Sequence, residues 1–344
     1  MKNIALCFDR TGAGGTGNGA ALADSLVSGD VQIVWSAGRT EHDGGVTMHP
    51  LRRRPAEREA ARQAVTDAYR FLVEMWEPGD RLFMFGAGPA AFCARALTRL
   101  LGTVGVLRDG GPASGSIPDF REYVLSTYVL PRTRRDAADW QRVGALAAAF
   151  AGEQVSVAVD FLGLWDTVAV AGQPLPRAPE HLPNLSAARH AVAIDSGYQR
   201  GAHSLAQTSD AVQEVWFRGT HCDVAGKPGA CAPLSDIALD WVLDGAVGAG
   251  LQVSLHRGPT PTAVDALSGT AHTVSLRRVP LDAAVHASVE CYLRAEPAYW
   301  RRLPARFTWA DRDWVARGER LVTVPRETAP VPAAAGEPAL VVAS

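Results

Sequence analysis

The sequence predicts an α/β fold with a mostly parallel sheet and helices on both of its faces. Three observations lead there: short apolar runs that hardly alternate, stretches of helical periodicity between them, and glycine-rich turns where the runs end. Strands buried on both faces read as continuous apolar segments, and the helices between them make the crossovers a parallel sheet requires.

The elements follow in order. Asn3 to Phe8 is an apolar run ending at Asp9 and a glycine cluster, and it predicts a first strand. Val31 to Trp35 predicts a second. From Arg54 to Met75 the residues Ala61, Val65, Ala68, Phe71, Leu72 and Met75 fall on one helical face, which Glu77-Pro78-Gly79-Asp80 terminates. Leu82 to Phe85 is expected as the third strand, with a helix from Pro89 to Leu101 behind it. Val155 to Leu164 reads as a fourth strand, Val212 to Phe217 as a fifth, and Ser235 to Leu243 as a helix. The segment Asp109 to Pro131, rich in Gly, Pro and Ser, reads as a loop or small cap. After about Pro325 the prolines among small residues predict a disordered tail. The expected division is one domain over residues 1–324 and a tail over 325–344.

Composition narrows the function classes. The 344 residues are 47% hydrophobic and 20% charged, ordinary values for a globular protein. A net charge of −2 gives no general attraction to nucleic acid or to anionic membranes. Basic charge is almost all arginine, since lysine occurs only at Lys2 and Lys227. The run Arg52-Arg53-Arg54 reads as a solvated loop. The five cysteines are scattered without a C-x-x-C pair, which argues against a zinc site or a disulfide framework. No cofactor or metal is called for. No signal peptide is visible after Met1 and no apolar run is long enough to span a bilayer, so a cytoplasmic protein without a transmembrane segment is expected.

The most informative stretch is Arg81-Leu-Phe-Met-Phe-Gly-Ala-Gly-Pro-Ala-Ala-Phe-Cys-Ala-Arg95, a buried strand, a tight turn and a helix. In an α/β-hydrolase this is where the nucleophile sits, on a strained elbow of pattern G-x-S-x-G. Here the serine slot holds Gly88 and the closing glycine is Ala90. The expected architecture is therefore an α/β-hydrolase-like three-layer sandwich that lacks its attacking atom.

In a parallel sheet, ligands bind beyond the carboxyl ends of the strands. Asp9, Gly86, Asp166 and His221 each follow a predicted strand, so they are expected to converge. Gly88, Asp166 and His221 stand in the hydrolase order of nucleophile, acid and histidine. Asp166 suits the group that orients a histidine, although a strand-end Asp also serves as a turn cap. His221 suits a general base, although a lone loop histidine is more often structural. His286 is the next candidate and reads as a core residue.

Glycine turns offer another class of function. Gly12-Ala-Gly-Gly-Thr-Gly17 fits G-x-G-x-x-G, and Gly86 to Ala91 fits G-x-G-x-x-A, either of which suits a pyrophosphate at a helix N-terminus. Asp9 ahead of the first turn would repel phosphate, and no acid ends the second strand. Asp109, about twenty residues beyond the second turn, is a candidate ribose ligand. No Lys-Ser or Lys-Thr pair follows either turn, which excludes a P-loop.

Several segments together resemble the α/β-hydrolase domain family that includes the catalytic domain of type VI secretion phospholipase effectors. They are Phe8-Asp-Arg-Thr-Gly12, Ala68-Tyr-Arg-Phe-Leu72, Pro78-Gly-Asp80, Phe85-Gly86 with Ala94-Arg95, and Phe161-Leu-Gly-Leu-Trp-Asp-Thr-Val168. Later come Ala188-Arg-His-Ala-Val-Ala-Ile-Asp195, Val215-Trp-Phe-Arg-Gly-Thr-His-Cys-Asp-Val224, Leu234-Ser-Asp-Ile-Ala-Leu239 and Val285-His-Ala-Ser-Val289. The resemblance implies a Ser-Asp-His esterase acting on lipids or similar esters, with the acid at Asp166 and the histidine at His221. It places the oxyanion pocket around Asp9, Arg10, Thr11 and Pro89.

Three departures count against that activity. The family's G-F-S-R-G reads Gly86-Ala87-Gly88-Pro89-Ala90, Pro89 has no N–H to donate, and Arg10 replaces a glycine. Cys93 and the loop serines Ser114 and Ser116 are the available substitutes, one expected in the core and the others solvated. The expectation is a phospholipase-effector-like pseudo-hydrolase that binds a lipid or ester-like small molecule, or a protein partner. The alternatives are an active lipolytic hydrolase with a non-standard nucleophile, and a nucleotide-binding protein using the Gly12–Gly17 or Gly86–Ala91 turn.

Overall fold

The computed structural model describes residues 1–9, 17–37, 50–109, 116–133, 135–151, 155–173, 178–196, 204–254, 260–271, 275 and 277–321. The strands are β1 (Asn3–Cys7), β2 (Gln32–Ser36), β3 (Arg81–Ala87), β4 (Phe161–Trp165), β5 (Ala188–Ala193), β6 (Val212–Phe217), β7 (Ala283–His286) and β8 (Phe307–Ala310). They form one sheet in the order β2-β1-β3-β4-β5-β6-β7-β8, and every neighbouring pair is parallel.

The helices are α1 (Asn18–Ser25), α2 (Pro50–Met75), α3 (Pro89–Val104), α4 (Ile117–Tyr128), α5 (Ala137–Ala151), α6 (His221–Ala225), α7 (Ala232–Gly248), α8 (Ala287–Ala295) and α9 (Trp314–Leu321). Side-chain alternation splits the core into layers. Ile4, Leu6, Leu82, Met84, Leu162 and Leu164 pack under α2, α3, α4 and α5. Ala5, Cys7, Phe83, Phe85, Phe161 and Trp165 point the other way, toward α1 and α7. A further cluster of Val192, Trp216, Val285, Val289 and Tyr292 fills the space beneath α8. The result is an α/β-hydrolase-like three-layer sandwich. Among the described residues no helix is long and apolar enough to cross a membrane.

The strand order sets where a ligand can bind. The chain starts at β1 inside the sheet, moves out to β2 at the edge, and returns to β3 on the other side of β1. Connections diverge there, which opens a crevice beyond the carboxyl ends of β1 and β3. Helix α3 fixes one wall. Its buried stripe of Ala91, Ala94, Leu97, Leu101 and Val104 recurs at helical spacing, Pro89 starts it, and Gly105 with φ +64° ends it by donating to Leu101 O.

Three expectations need correction. The run Arg52-Arg53-Arg54, expected as a loop, lies in the first turns of α2. Much of the segment from Asp109 to Pro131, expected as a loop or small cap, is α4, whose Ile117, Phe120, Val124, Leu125 and Tyr128 are buried. Those apolar positions recur at helical spacing and outweigh the turn-forming residues around them. The fourth strand begins at Phe161 rather than Val155. Before it only Val159 pairs, with Leu185, and the Asp160 carboxylate takes the Leu82 N–H at 2.9 Å. The expected tail over 325–344 lies outside the described residues.

Candidate active site

The turn between β3 and α3 is glycine by necessity at two points. A Cβ on Gly86 would stand 2.5–2.6 Å from the backbone of Ala90 and Ala91, so the helix start can lie over the strand only if position 86 is bare. Gly88 has φ 62° and ψ −119°, a conformation strained for any residue with a side chain. Its N–H donates to Trp165 O at 2.8 Å, and its carbonyl accepts from Val168 N–H at 3.2 Å. These bonds pin the elbow to the end of β4.

Asp166 is the first residue beyond β4, at φ +43°, and is fully buried. It accepts from Ala193 N–H at 2.9 Å, from His221 Nδ1 at 2.6 Å, and from both terminal nitrogens of Arg277, one of them 3.0 Å from Oδ2. Burial alone would raise this carboxyl. The Arg277 charge, with the His221 and Arg277 hydrogen bonds, overrides it and holds the group well below the usual carboxylate range.

His221 opens α6 beneath a capping box, in which Thr220 N–H donates to Asp223 Oδ2 at 2.7 Å and Asp223 N–H to Thr220 Oγ1 at 3.4 Å. The box fixes where the imidazole starts. With Nδ1 on the carboxylate, the neutral ring carries its lone pair on Nε2. A Cβ on Gly88 would lie 3.1 Å from Cε1 and 3.2 Å from Nε2, so the ring faces the elbow. The His221 side chain is 27% exposed, which lets it meet solvent and ligand. An orienting acid, a base and an elbow in this arrangement can move a proton at the position above Gly88.

Asp9 lies on the other side of the elbow. Its Oδ2 accepts from Ala87 N–H at 2.7 Å and its Oδ1 from Lys227 Nζ at 2.9 Å. Burial pushes this carboxyl above its ordinary value against the pull of Lys227. A Cβ on Gly19 would come within 2.0 Å of Asp9 Oδ2, so α1 closes over it. Asp9 therefore braces the crevice. Pro89, exposed at the first position of α3, lacks an N–H to offer. Arg10, Thr11 and the glycine cluster as far as Thr16 lie outside the described residues.

Among the described residues, two other histidines have acid partners. His190 shares Nδ1 with Glu214 at 2.9 Å and accepts the Thr167 N–H on Nε2 at 3.2 Å. His286 Nδ1 lies 2.8 Å from Ser288 Oγ, and its Nε2 lies 3.4 Å from Asp311 Oδ2. Both imidazoles are 0% exposed, which separates them from His221. The Ser288-His286-Asp311 trio has the residue types of a hydrolytic triad, yet it is a helix cap, because His286 Nδ1 also accepts the Ser288 N–H.

The substitute nucleophiles are no better placed. The Cys93 thiol is pushed up to about 12 by burial, with Asp9 adding to the effect. Cys222, beside His221, is raised by burial and by Asp223. Ser116 stands at the N-cap position of α4 without a side-chain cap bond, and Ser114 lies outside the described residues. Asp109 pairs with Arg121 at 3.3 Å.

The structure thus brings together Asp9, Gly86, Gly88, Asp166 and His221, as the strand ends require. Sequence reasoning missed Arg277, which stands 111 positions from Asp166 in an ordinary Leu276-Arg277-Arg278 run. It also missed the task of Lys227, although the scarcity of lysine marked that residue.

Residues 2–245, most of the chain, match the family described as T6SS phospholipase effector Tle1-like, catalytic domain. The chain belongs to that family. The Tle1-like match takes in Asp9, the elbow, Asp166 and His221, and it ends before Arg277. Among solved structures, an uncharacterized protein from Pseudomonas aeruginosa aligns at 17% identity and TM-score 0.38, over 74% of this chain and 46% of that one. The Tle1 effector bound to the VgrG spike of the type VI secretion system aligns at 15% identity and TM-score 0.31, over 65% of this chain and 50% of that one. The chain spans about half the length of these two. The uncharacterized protein YEL023C of Saccharomyces cerevisiae is 46% identical over 46 residues, which is 13% of this chain and 7% of that protein.

Proposed function

We propose that this chain is a Tle1-like hydrolase scaffold that receives an ester- or lipid-like ligand over its elbow and forms no acyl-enzyme. One observation carries the reading: the place that faces His221 Nε2, where a nucleophile would stand, is the bare Cα of Gly88. Asp166 and His221 supply the acid and the base of a serine hydrolase, and among the described residues no hydroxyl or thiol stands at the elbow position that faces His221 Nε2. The absent Pro89 N–H removes an oxyanion donor from the same place. A nucleotide at this turn is less well supported, because the His221 ring stands over Gly88 and Asp9 lies beside it.

The test is covalent labelling. A fluorophosphonate probe should leave the wild-type mass unchanged. It should label the triple variant G88S, P89R, A90G, which restores the hydrolase elbow. An adduct on any wild-type side chain would overturn the proposal.

A further inference from the structure

We infer that the Asp166–His221 pair activates a water molecule directly, so that the domain hydrolyses esters by single displacement. The inference rests on reading the crevice as an ester site, and it adds an activity to that reading.

Four features carry it. The base is assembled, with Asp166 on Nδ1 at 2.6 Å and Nε2 turned to the elbow. There is room beside the ring: among the described residues, apart from the chain neighbours Ala87 and Pro89, the next atom to the Gly88 Cβ position after the two ring atoms is Val168 Cγ2 at 3.8 Å. The water of this inference sits about 2.8 Å from Nε2, beside that position. The polarity is right as well, because α3 runs 16 residues from this point and its N-terminal dipole faces the crevice. The 27% exposure of His221 lets water exchange, whereas the buried imidazoles of His190 and His286 have no such access.

The chemistry balances with water as the co-reactant. His221 Nε2 takes a proton from water as the water oxygen bonds to the ester carbonyl carbon. The tetrahedral adduct then breaks its bond to the alkoxide, which leaves with the proton held on Nε2. The products are a carboxylic acid and an alcohol. Asp166 holds the tautomer and steadies the imidazolium, and Arg277 keeps Asp166 ionised. No bond to the protein forms at any stage.

The experiment uses the full chain with p-nitrophenyl acetate and butyrate. Steady release without a burst is expected, at a rate about 100-fold above that of His221→Ala, the low end of what general-base catalysis contributes. Asp166→Asn should fall by a similar factor. Pro89→Ala returns an N–H beside the elbow and should raise turnover about 10-fold or more. Circular dichroism checks that each variant is folded. Wild-type turnover equal to that of folded His221→Ala overturns this inference and leaves the non-covalent reading standing. Should His221→Ala not fold, unchanged turnover in Pro89→Ala overturns it instead. An acyl mass on the quenched wild-type protein overturns both.

Discussion

Arg277 grips Asp166 with both ends of its guanidinium: Nη1 meets Oδ1, and Nη2 lies 3.0 Å from Oδ2, the oxygen that His221 also holds. Both partners are buried, at 4% and 0% exposure. Arg277→Met would leave a buried carboxylate short of its main counter-charge, and losing one partner of such a pair costs about 3–5 kcal/mol. The loss should shrink as pH falls, because protonating Asp166 removes the uncompensated charge. Urea unfolding at pH 7 and pH 4 checks this. An equal loss at both would show that the charge is not the cause.

Asp166 and Asp9 should tilt the pH–stability curve in opposite directions. The folded-state pKa of Asp166 is depressed, so its contribution is complete above the ordinary carboxylate value and fades as pH falls toward the folded one. Asp166→Asn should flatten that acid limb. The folded-state pKa of Asp9 is raised, so the folded state binds the extra proton and stability declines as pH climbs from the unfolded value through the folded one. Asp9→Asn should remove that decline. Unfolding free energies between pH 3 and 7 measure both slopes.

Gly88→Ser alone should destabilise the fold by about 1–3 kcal/mol, the usual range for a side chain held in a sparsely populated backbone region. Gly29→Ser is the control. Nothing lies within 4 Å of its Cβ position, and a change within about 0.5 kcal/mol is expected there. Thermal and urea melts of the two variants should differ clearly. Equal melts would mean that the elbow holds no strain.

The Arg95–Glu180 pair anchors α3 from beneath, at 2% and 14% exposure, and Arg95 Nη2 also donates to Ser204 O at 3.0 Å. Arg95→Ala should cost about 3–5 kcal/mol because it leaves Glu180 and Ser204 short of a donor. Arg99 binds the same carboxylate from a side chain 43% exposed, and Arg99→Ala should cost less than about 1 kcal/mol. Comparable losses in equilibrium unfolding would contradict this ranking.

The legible parts of this molecule were those whose signal is local. β1, β3 and α3 show as apolar runs or a helical stripe, β6 shows through its closing Val215-Trp216-Phe217, and the elbow shows as two glycines after a buried strand. Asp166 and His221 were found because the hydrolase order of residues survives around Gly88. β5 escaped because Arg189 and His190 interrupt its run, and both side chains find partners only in the fold: Asp244 at 3.3 Å and Glu214 at 2.9 Å. β7 and β8, with four residues each, are too short to show a period. Arg277 escaped for a different reason. Its meaning depends on a carboxylate far away in sequence, and no spacing rule connects the two.

A side chain returning to position 88 would meet the imidazole first, because the ring stands 3.1–3.2 Å from the Cβ position and Val168 Cγ2 only at 3.8 Å. The ring would have to retreat by a few tenths of an ångström, drawing on its 2.6 Å tie to Asp166 as it went. A side chain at position 88 and the present base thus compete for one location. A variant that carries a hydroxyl there would therefore begin with its partner displaced.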